Sequence, residues 1–162
     1  MNIIHAQSEH TAKIRELLID IWYATYQGLL PDDVIKQATQ KWFAEKGLQE
    51  QIENDDYVFL VAVTEDGKLA GLTTAKLIKP STMHLLRLYV LPEYQGIGLG
   101  TLLYKSALEQ FHGISTVRLG VIEGNQKAIR FYENQGFIKT GEEKESFHNY
   151  EMIIWVMEKL II

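Results

Sequence analysis

Apolar residues at Ile14, Leu17, Leu18, Ile21 and Trp22 recur at helical spacing and predict a helix running to about Tyr23–Tyr26. Before it, Asn2–Ala6 alternates weakly and reads as a short strand. Ser8 is the expected N-cap, with Glu9 in the first turn. Gly28 and Pro31 end the helix. Asp32 or Asp33 opens a second through Val34, Ile35 and Ala38, and a third piece lies around Trp42–Gln51. Two β-rich runs follow, Tyr57–Glu65 and Leu69–Ile78, joined by the hairpin signal Asp66-Gly67. Val58 to Val63 are all apolar, which predicts a strand buried on both faces. Leu85–Leu91 is a further apolar strand, stopped by Pro92. A helix from about Gly98 to His112 is expected to bury Leu99, Leu102, Leu103 and Ala107. Ser115–Ile122 reads as a strand. Asn125 is the N-cap of a helix carrying Ala128, Phe131 and Tyr132 on one face, with Gly136 as its stop. Phe137–Thr140 begins a strand, Gly141–Asn149 reads as a polar connection, and Tyr150–Leu160 is a long final strand. Strands and helices in this order predict a single α/β domain over residues 1–162, built on a mixed sheet.

Composition narrows the function. An apolar fraction of 46% against 23% charged residues indicates a folded globular chain. The net charge of −5 argues against nucleic acid or an anionic membrane as the partner, and mildly favours a cationic one such as an amine. With no cysteine, thiolate nucleophiles, disulfides and zinc–sulfur sites are excluded. The five histidines show no metal-ligand spacing, so no metal is expected. The N-terminal MNIIHAQSEH lacks the pattern of a signal peptide, and no apolar run approaches a membrane span of about 20 residues. A cytoplasmic protein is the expectation.

The stretch that carries chemistry is Leu85–Leu103, LLRLYVLPEYQGIGLGTLL. A strand, a glycine loop and a helix N-terminus together form an anion site, because backbone N–H groups converge there and the helix dipole adds positive charge. A P-loop needs a lysine after its last glycine, whereas Thr101 and Leu102 follow Gly100. A dinucleotide fingerprint needs GxGxxG after the first strand, whereas this loop is GxGxG after about the fourth. A glycine-rich turn that binds nothing is the remaining alternative from these residues alone.

A combination of motifs decides between these. Gln95-x-x-Gly98-x-Gly100 at a strand-to-helix junction resembles the acyl-CoA pyrophosphate motif of the GNAT superfamily of N-acetyltransferases. About 25 residues on, Asn125-x-x-Ala128-x-x-Phe131-Tyr132-x-x-x-Gly136-Phe137 resembles that superfamily's second signature. Leu88-Tyr89-Val90 and Pro92 are similar to its fourth strand, and Trp22-Tyr23 through Pro31 to its two-helix segment. The resemblance covers nearly the whole chain. It departs at Ser8, where many members carry Asp as the cap. It implies a mixed, mostly antiparallel sheet of about seven strands flanked by about four helices and splayed between strands four and five.

The resemblance further implies transfer of acetyl from acetyl-CoA to an amine by direct attack in a ternary complex. The absence of cysteine agrees, and there is no Gly-x-Ser-x-Gly elbow for a serine relay. The pyrophosphate would rest on the backbone of Gln95, Gly96, Ile97, Gly98, Leu99, Gly100 and Thr101, at ~1.5–3 kcal/mol per charge-assisted bond. Leu88, Tyr89 and Val90 would hold the thioester and polarise its carbonyl through a backbone N–H. Asn125 and Ala128 would lie along the CoA arm, with Lys127 and Arg130 near its phosphates. Tyr132 matches the tyrosine beside the CoA sulfur and would be the general acid for the leaving thiolate. An alkyl ammonium, of pKa near ~10, must lose a proton before attack. Glu123, Glu151, His148 and His84 are candidate bases, and no choice among them follows from the sequence.

The acceptor is expected opposite the CoA entry, between Trp22–Pro31 and the Glu142–Tyr150 connection. Tyr23, Tyr26, Phe147 and Tyr150 would form aromatic walls, and Asp32, Asp33, Glu142, Glu143 and Glu145 would attract a cation. A small amine or polyamine is favoured, with a peptide or protein amine as the other option. A non-catalytic acyl-CoA-binding or sensing module on the same fold is the alternative function. A homodimer is common in the family.

Overall fold

The computed structural model describes residues 1–161. One seven-stranded sheet runs in the order β1-β2-β3-β4-β5-β7-β6. Its strands are β1 (Asn2–His5), β2 (Tyr57–Val63), β3 (Leu69–Lys79), β4 (Thr82–Val90), β5 (Thr116–Ile122), β6 (Ile138–Phe147) and β7 (Tyr150–Leu160). All neighbours are antiparallel except β4 and β5. The helices are α1 (Thr11–Tyr26), α2 (Asp32–Trp42), α3 (Glu45–Glu53), α4 (Leu99–Glu109) and α5 (Gln126–Asn134). The mixed sheet, its parallel central pair and the flanking helices are those the motifs implied.

The apolar run of β2 explains its central place. Phe59 and Val61 face one core cluster, which α1, α2 and α3 cover, while Leu60 and Ala62 face clusters under α4 and α5. Each fully buried leucine or isoleucine in these clusters contributes about 1.5–3 kcal/mol relative to exposure. The β2–β3 hairpin turns at Gly67, whose φ of 83° is open to glycine at little cost.

Three local expectations change. Ser8 does not cap α1. It begins a 3-10 turn, Ser8–His10, and its hydroxyl donates to Glu53 Oε1 at 2.9 Å, while Thr11 Oγ1 donates to the Ser8 carbonyl at 2.7 Å. Leu102 is 46% exposed, and Tyr104, at 3%, fills the core in its stead, because α4 turns its Leu99–Leu103–Ala107 stripe inward. Gly141–Asn149 is not a connection: Gly141 to Phe147 continue β6, paired with β7 up to Phe147↔Tyr150. β6 is an edge strand, so its polar side chains face solvent and mask its pairing. The hairpin turn uses His148 at φ 50° rather than an Asn-Gly pair, which left no turn signal.

The parallel pairing of β4 with β5 runs only from Thr82↔Thr116 to Leu85↔Leu119. Beyond that, β4 stays with β3 as far as Gly71↔Val90, and β5 stays with β7 as far as Ile122↔Ile154. The register of β3 against β4 slips between Thr74 and Ala75, which leaves Leu86 as an extra residue one step past the last β4–β5 pair. A bulge bends its strand and strengthens the local twist. It carries the end of β4 away from β5 and opens the sheet there.

Candidate active site

The open end of β4 has no strand partner on its β5 side. Leu91 N–H donates to the Ala70 carbonyl, and Tyr89 lies opposite Leu72. In an antiparallel ladder, alternate residues point their N–H and C=O to opposite sides. Tyr89 and Leu91 therefore serve β3, while Leu88 and Val90 direct theirs into the opening. Their side chains remain only half-buried, unlike those of Met83 and Leu85, where β5 is still paired.

The loop after β4 is shaped for main-chain contact. Leu91 ends in a 3-10 turn, Pro92–Tyr94, and Gly96 and Gly98 take φ values of 80° and 86°. Gly98 is the N-cap of α4, and the first helical bond runs from Leu102 N–H to the Gly98 carbonyl at 3.0 Å. The N–H groups of Leu99, Gly100 and Thr101 thus have no intrahelical acceptor. Leu99 is buried, so that residue offers only its backbone, and Ile97 projects outward at 69% exposure. A Cβ on Gly100 would meet the Phe131 ring at 3.4 Å, so this glycine lets α5 lie close beside the loop.

Side chains tie the loop to its surroundings. Gln95 Nε2 donates to the Val90 carbonyl at 2.9 Å, and Lys127 Nζ donates to Gln95 Oε1. Gln135 Nε2 donates to Thr101 Oγ1 at 2.9 Å. Asn125 is the N-cap of α5 as expected, with Oδ1 accepting from Ala128 N–H at 3.2 Å. Its Nδ2 donates to the Tyr26 hydroxyl at 3.1 Å, a link across 99 positions that sequence reasoning missed.

Tyr132 is buried on α5, within the cluster on the α4 side of the sheet. Its ring packs edge-on against Phe131 and Phe137, at centroid distances of 5.3 and 5.6 Å. Burial, and secondarily Tyr89, pushes its phenol well above the ordinary tyrosine range. Tyr89 lies on the other face, where its hydroxyl accepts from Trp22 Nε1 at 3.1 Å. Its phenol is likewise raised, by burial. Tyr26 is raised by burial and then by Tyr89, against the opposing hydrogen bond from Asn125.

The four candidate bases sit in different parts of the sheet. His84 lies in the paired part of β4, in register with Lys76 and Arg118, and burial followed by those two cations lowers its pKa. His148 is exposed at the β6–β7 turn, and Glu151 pairs with Lys144 at 3.5 Å. Glu123 stands exposed at the end of β5, its N–H on the Ile153 carbonyl at 2.9 Å.

The expected acceptor walls are partly core. Tyr26 and Phe147 are 4% and 6% exposed. Trp22, Tyr26, Trp42, Phe43 and Phe147 pack as one aromatic cluster with centroid distances of 4.5–5.8 Å. Only Tyr23 and Tyr150 remain half-exposed. Glu142, Glu143 and Glu145 are neutralised by Lys139, Arg118 and Lys41 at 2.6, 2.8 and 2.8 Å. A further residue missed in the sequence is Arg87, whose guanidinium lies over Phe43 and Phe59 and donates to Gln51 Oε1 at 2.6 Å. It holds β4 to α3 just below the opening. Its one sequence signal is a lone cation inside an apolar strand.

A split sheet with a glycine loop and helix N-terminus at its mouth makes a cleft with free backbone donors suited to an anion. The profile of the Acetyltransferase (GNAT) family matches residues 12–137, and the chain belongs to that family. A mycothiol acetyltransferase from Mycobacteroides abscessus is 33% identical over 120 residues, covering 72% of this chain and 37% of its own length. Another from Stackebrandtia nassauensis is 30% identical over 112 residues, covering 66% and 33%. The chain thus spans about a third of the length of these curated relatives. Among solved structures, the PaiA N-acetyltransferase from Thermoplasma acidophilum in complex with coenzyme A superimposes with a TM-score of 0.81 at 26% identity, covering 99% of this chain and 98% of that one. The spermidine N-acetyltransferase from Vibrio cholerae in complex with CoA and spermine gives a TM-score of 0.70 at 20% identity, covering 98% and 94%, a likeness of fold. Among the described residues no helix is long and apolar enough to cross a membrane, and no cluster of metal-binding side chains is found.

Proposed function

We propose that this chain is an acetyl-CoA-dependent N-acetyltransferase that moves acetyl to a primary amine by direct attack. The observation that carries the proposal is the opening between β4 and β5, where no strand pairs with the Leu88 and Val90 side of β4, beside the glycine loop. In this reading the pyrophosphate rests on the backbone of residues 95–101. The pantetheine arm pairs with the end of β4, alongside Asn125 and Ala128. The acetyl carbonyl receives a backbone N–H from the strand, and water is excluded by the cores on both faces. Tyr132 is proposed for the acid role: burial keeps it protonated at neutral pH, and its O–H donates a hydrogen bond to the sulfur as negative charge builds there.

The acceptor we favour is a small amine or polyamine, with a peptide or protein amine as the other class. The spermidine enzyme of like fold supports a polyamine as the first acceptor to try. Because three of the acids expected to attract a cation are paired, the attraction left rests on Asp32 and Asp33 in the first turn of α2. The test is a panel of amines with acetyl-CoA, read by release of free thiol. Thiol release with one or more primary amines is expected. Tight acetyl-CoA binding with no release across the panel would instead mark a non-catalytic acyl-CoA-binding module, and no binding at all would refute both.

A further inference from the structure

Two tyrosines at the opening have hydroxyl oxygens that are already occupied. Trp22 Nε1 donates to Tyr89, and Asn125 Nδ2 donates to Tyr26, each at 3.1 Å. An indole nitrogen only donates, so the direction of the first bond is fixed by chemistry. The second is fixed by Asn125 Oδ1, which is committed to the Ala128 N–H and leaves Nδ2 to face Tyr26. A phenol has one proton. When its oxygen accepts from a fixed partner, its own O–H turns away from that partner.

For Tyr89 the O–H is left to point away from Trp22, on the α1 face of the sheet beside the opening. The residue stands between Leu88 and Val90, whose peptide groups point into the opening, four positions past the last β4–β5 pair, and its ring rises on the α1 face beside them. Trp22 is itself locked. It is 2% exposed and packed between Tyr26, Trp42 and Phe43 at centroid distances of 4.5, 5.5 and 5.8 Å. Asn125 follows the end of β5, so the Tyr26 hydroxyl it holds and the Tyr89 hydroxyl on β4 lie on the α1 face at the two sides of the opening. Burial keeps both of them, and that of Tyr132, neutral, so each is a hydrogen-bond donor rather than a base.

We propose that Tyr89 is a further catalytic residue, a hydrogen-bond donor to the acetyl carbonyl oxygen as it becomes an oxyanion, and that Trp22 is the positioning residue that aims it. The proposal rests on the acetyltransferase reading of the opening. In the transfer, the nitrogen of the free amine bonds to the carbonyl carbon and the carbonyl π pair moves onto oxygen. On collapse that pair returns, the C–S bond breaks and its electrons leave on sulfur. Tyr132 gives a proton to the sulfur and regains one from solvent, and the proton shed by nitrogen passes to solvent. Tyr89 keeps its proton throughout and shares it with the oxygen only while that atom is charged. A donor held in place before the charge develops needs no reorganisation at that moment, which is where such groups act on rate rather than on binding.

The test uses Tyr89→Phe, which conserves volume, and Trp22→Phe, which leaves the Tyr89 hydroxyl in place but unaimed. Tyr89→Phe is expected to lower kcat at least ~10-fold with KM for acetyl-CoA within about twofold. Trp22→Phe is expected to lower kcat by less, and to add nothing when combined with Tyr89→Phe, since both remove one interaction. A readout without turnover is the infrared carbonyl band of bound acetyl-CoA carrying carbon-13 in the acetyl carbonyl. It is expected to shift to lower frequency on binding to the native protein, and to shift less in Tyr89→Phe. Native turnover with an unchanged kcat and an unchanged band in Tyr89→Phe overturns the proposal and leaves the acetyltransferase reading standing. A native protein that neither binds acetyl-CoA nor releases thiol overturns that reading, and this one with it. If Trp22→Phe does not fold, as a thermal melt would show, Tyr89→Phe alone decides.

Discussion

Asn125 makes two bonds that separate substitutions can take apart. Its Oδ1 caps α5 through the Ala128 N–H, and its Nδ2 reaches Tyr26 on α1. Asn125→Ser keeps a good capping oxygen and removes the donor to Tyr26. Tyr26 is 4% exposed, so water does not readily replace that donor, and the loss is expected to be about 1–2 kcal/mol. Asn125→Ala removes the cap as well, which adds about 1 kcal/mol for a total of about 2–3. The control is Tyr26→Phe. Because Asn125 is only half-buried, solvent can satisfy its freed Nδ2, and about 1 kcal/mol is expected. In the Tyr26→Phe background, Asn125→Ser should cost close to nothing, because its partner is already gone. Urea unfolding followed by tryptophan fluorescence measures each step, and the slope m should not change. Equal costs for Asn125→Ser with and without the Tyr26 hydroxyl would refute the link between α1 and α5, even if every variant were destabilised.

Other expectations test the opening itself. A Cβ on Gly71 would lie 2.6 Å from the Tyr89 carbonyl oxygen, whereas one on Gly120 would meet only the Ile154 Cγ2 at 2.9 Å. Gly71→Ala must therefore move the β4 backbone at the reacting segment, and should cost about 1–3 kcal/mol along with acetyl-CoA affinity, while Gly120→Ala is absorbed by a side-chain shift; urea unfolding and calorimetry compare the two. Gly98 has φ 86° with nothing within 4 Å, so Gly98→Val strains the backbone by about 1–2 kcal/mol without a clash and should abolish acetyl-CoA binding. Unchanged affinity by calorimetry would remove the pyrophosphate from that loop. Tyr132→Phe should lower kcat ~10²-fold, and a change of only a few-fold in steady-state assays would make Tyr132 a packing residue. The raised phenols of Tyr26, Tyr89 and Tyr132 also set an alkaline limit. Below their unfolded value near 10.0 both states keep the protons and nothing changes. Above it the unfolded chain releases protons that the folded chain holds, so stability falls by up to about 1.4 kcal/mol per pH unit for each tyrosine. Urea midpoints at pH 9 and 11 should show this loss, reduced in Tyr26→Phe.

Much of this architecture is written in short-range pattern. The α1 stripe, the all-apolar β2, the Asp66-Gly67 hairpin, the Asn125 cap and the Gly136 stop each depend on residues within a few positions of one another. Periodicity and turn chemistry report such features directly. The motifs around Gln95–Gly100 and Asn125–Phe137 were legible for the same reason, and the match to residues 12–137 agrees with the family they suggested. Where a local rule misled, a tertiary neighbour had overridden it. Ser8 turned its hydroxyl to Glu53, 45 positions away, and β6 looked like a loop because an edge strand needs no apolar second face.

The splay between strands four and five was implied by the family resemblance, but the residues at which it begins lay beyond the sequence. It depends on where two strands stop pairing and on a bulge at Leu86 that no glycine or proline announces. The Trp22–Tyr89 and Asn125–Tyr26 bonds join residues 67 and 99 positions apart. No periodicity connects such positions, and only the packing of α1 against β4 and α5 brings them within 3.1 Å. The fate of the acidic residues was decided the same way, since a lysine or arginine from another element reached Glu143 and Glu145. The sequence by itself determined the elements, the glycine loop and the residue types at the site. Tertiary structure alone decided which partners hold the tyrosine hydroxyls, which acidic side chains are paired and at which residue the sheet begins to part, because each of these is set by hydrogen bonds and contacts between segments far apart in the chain.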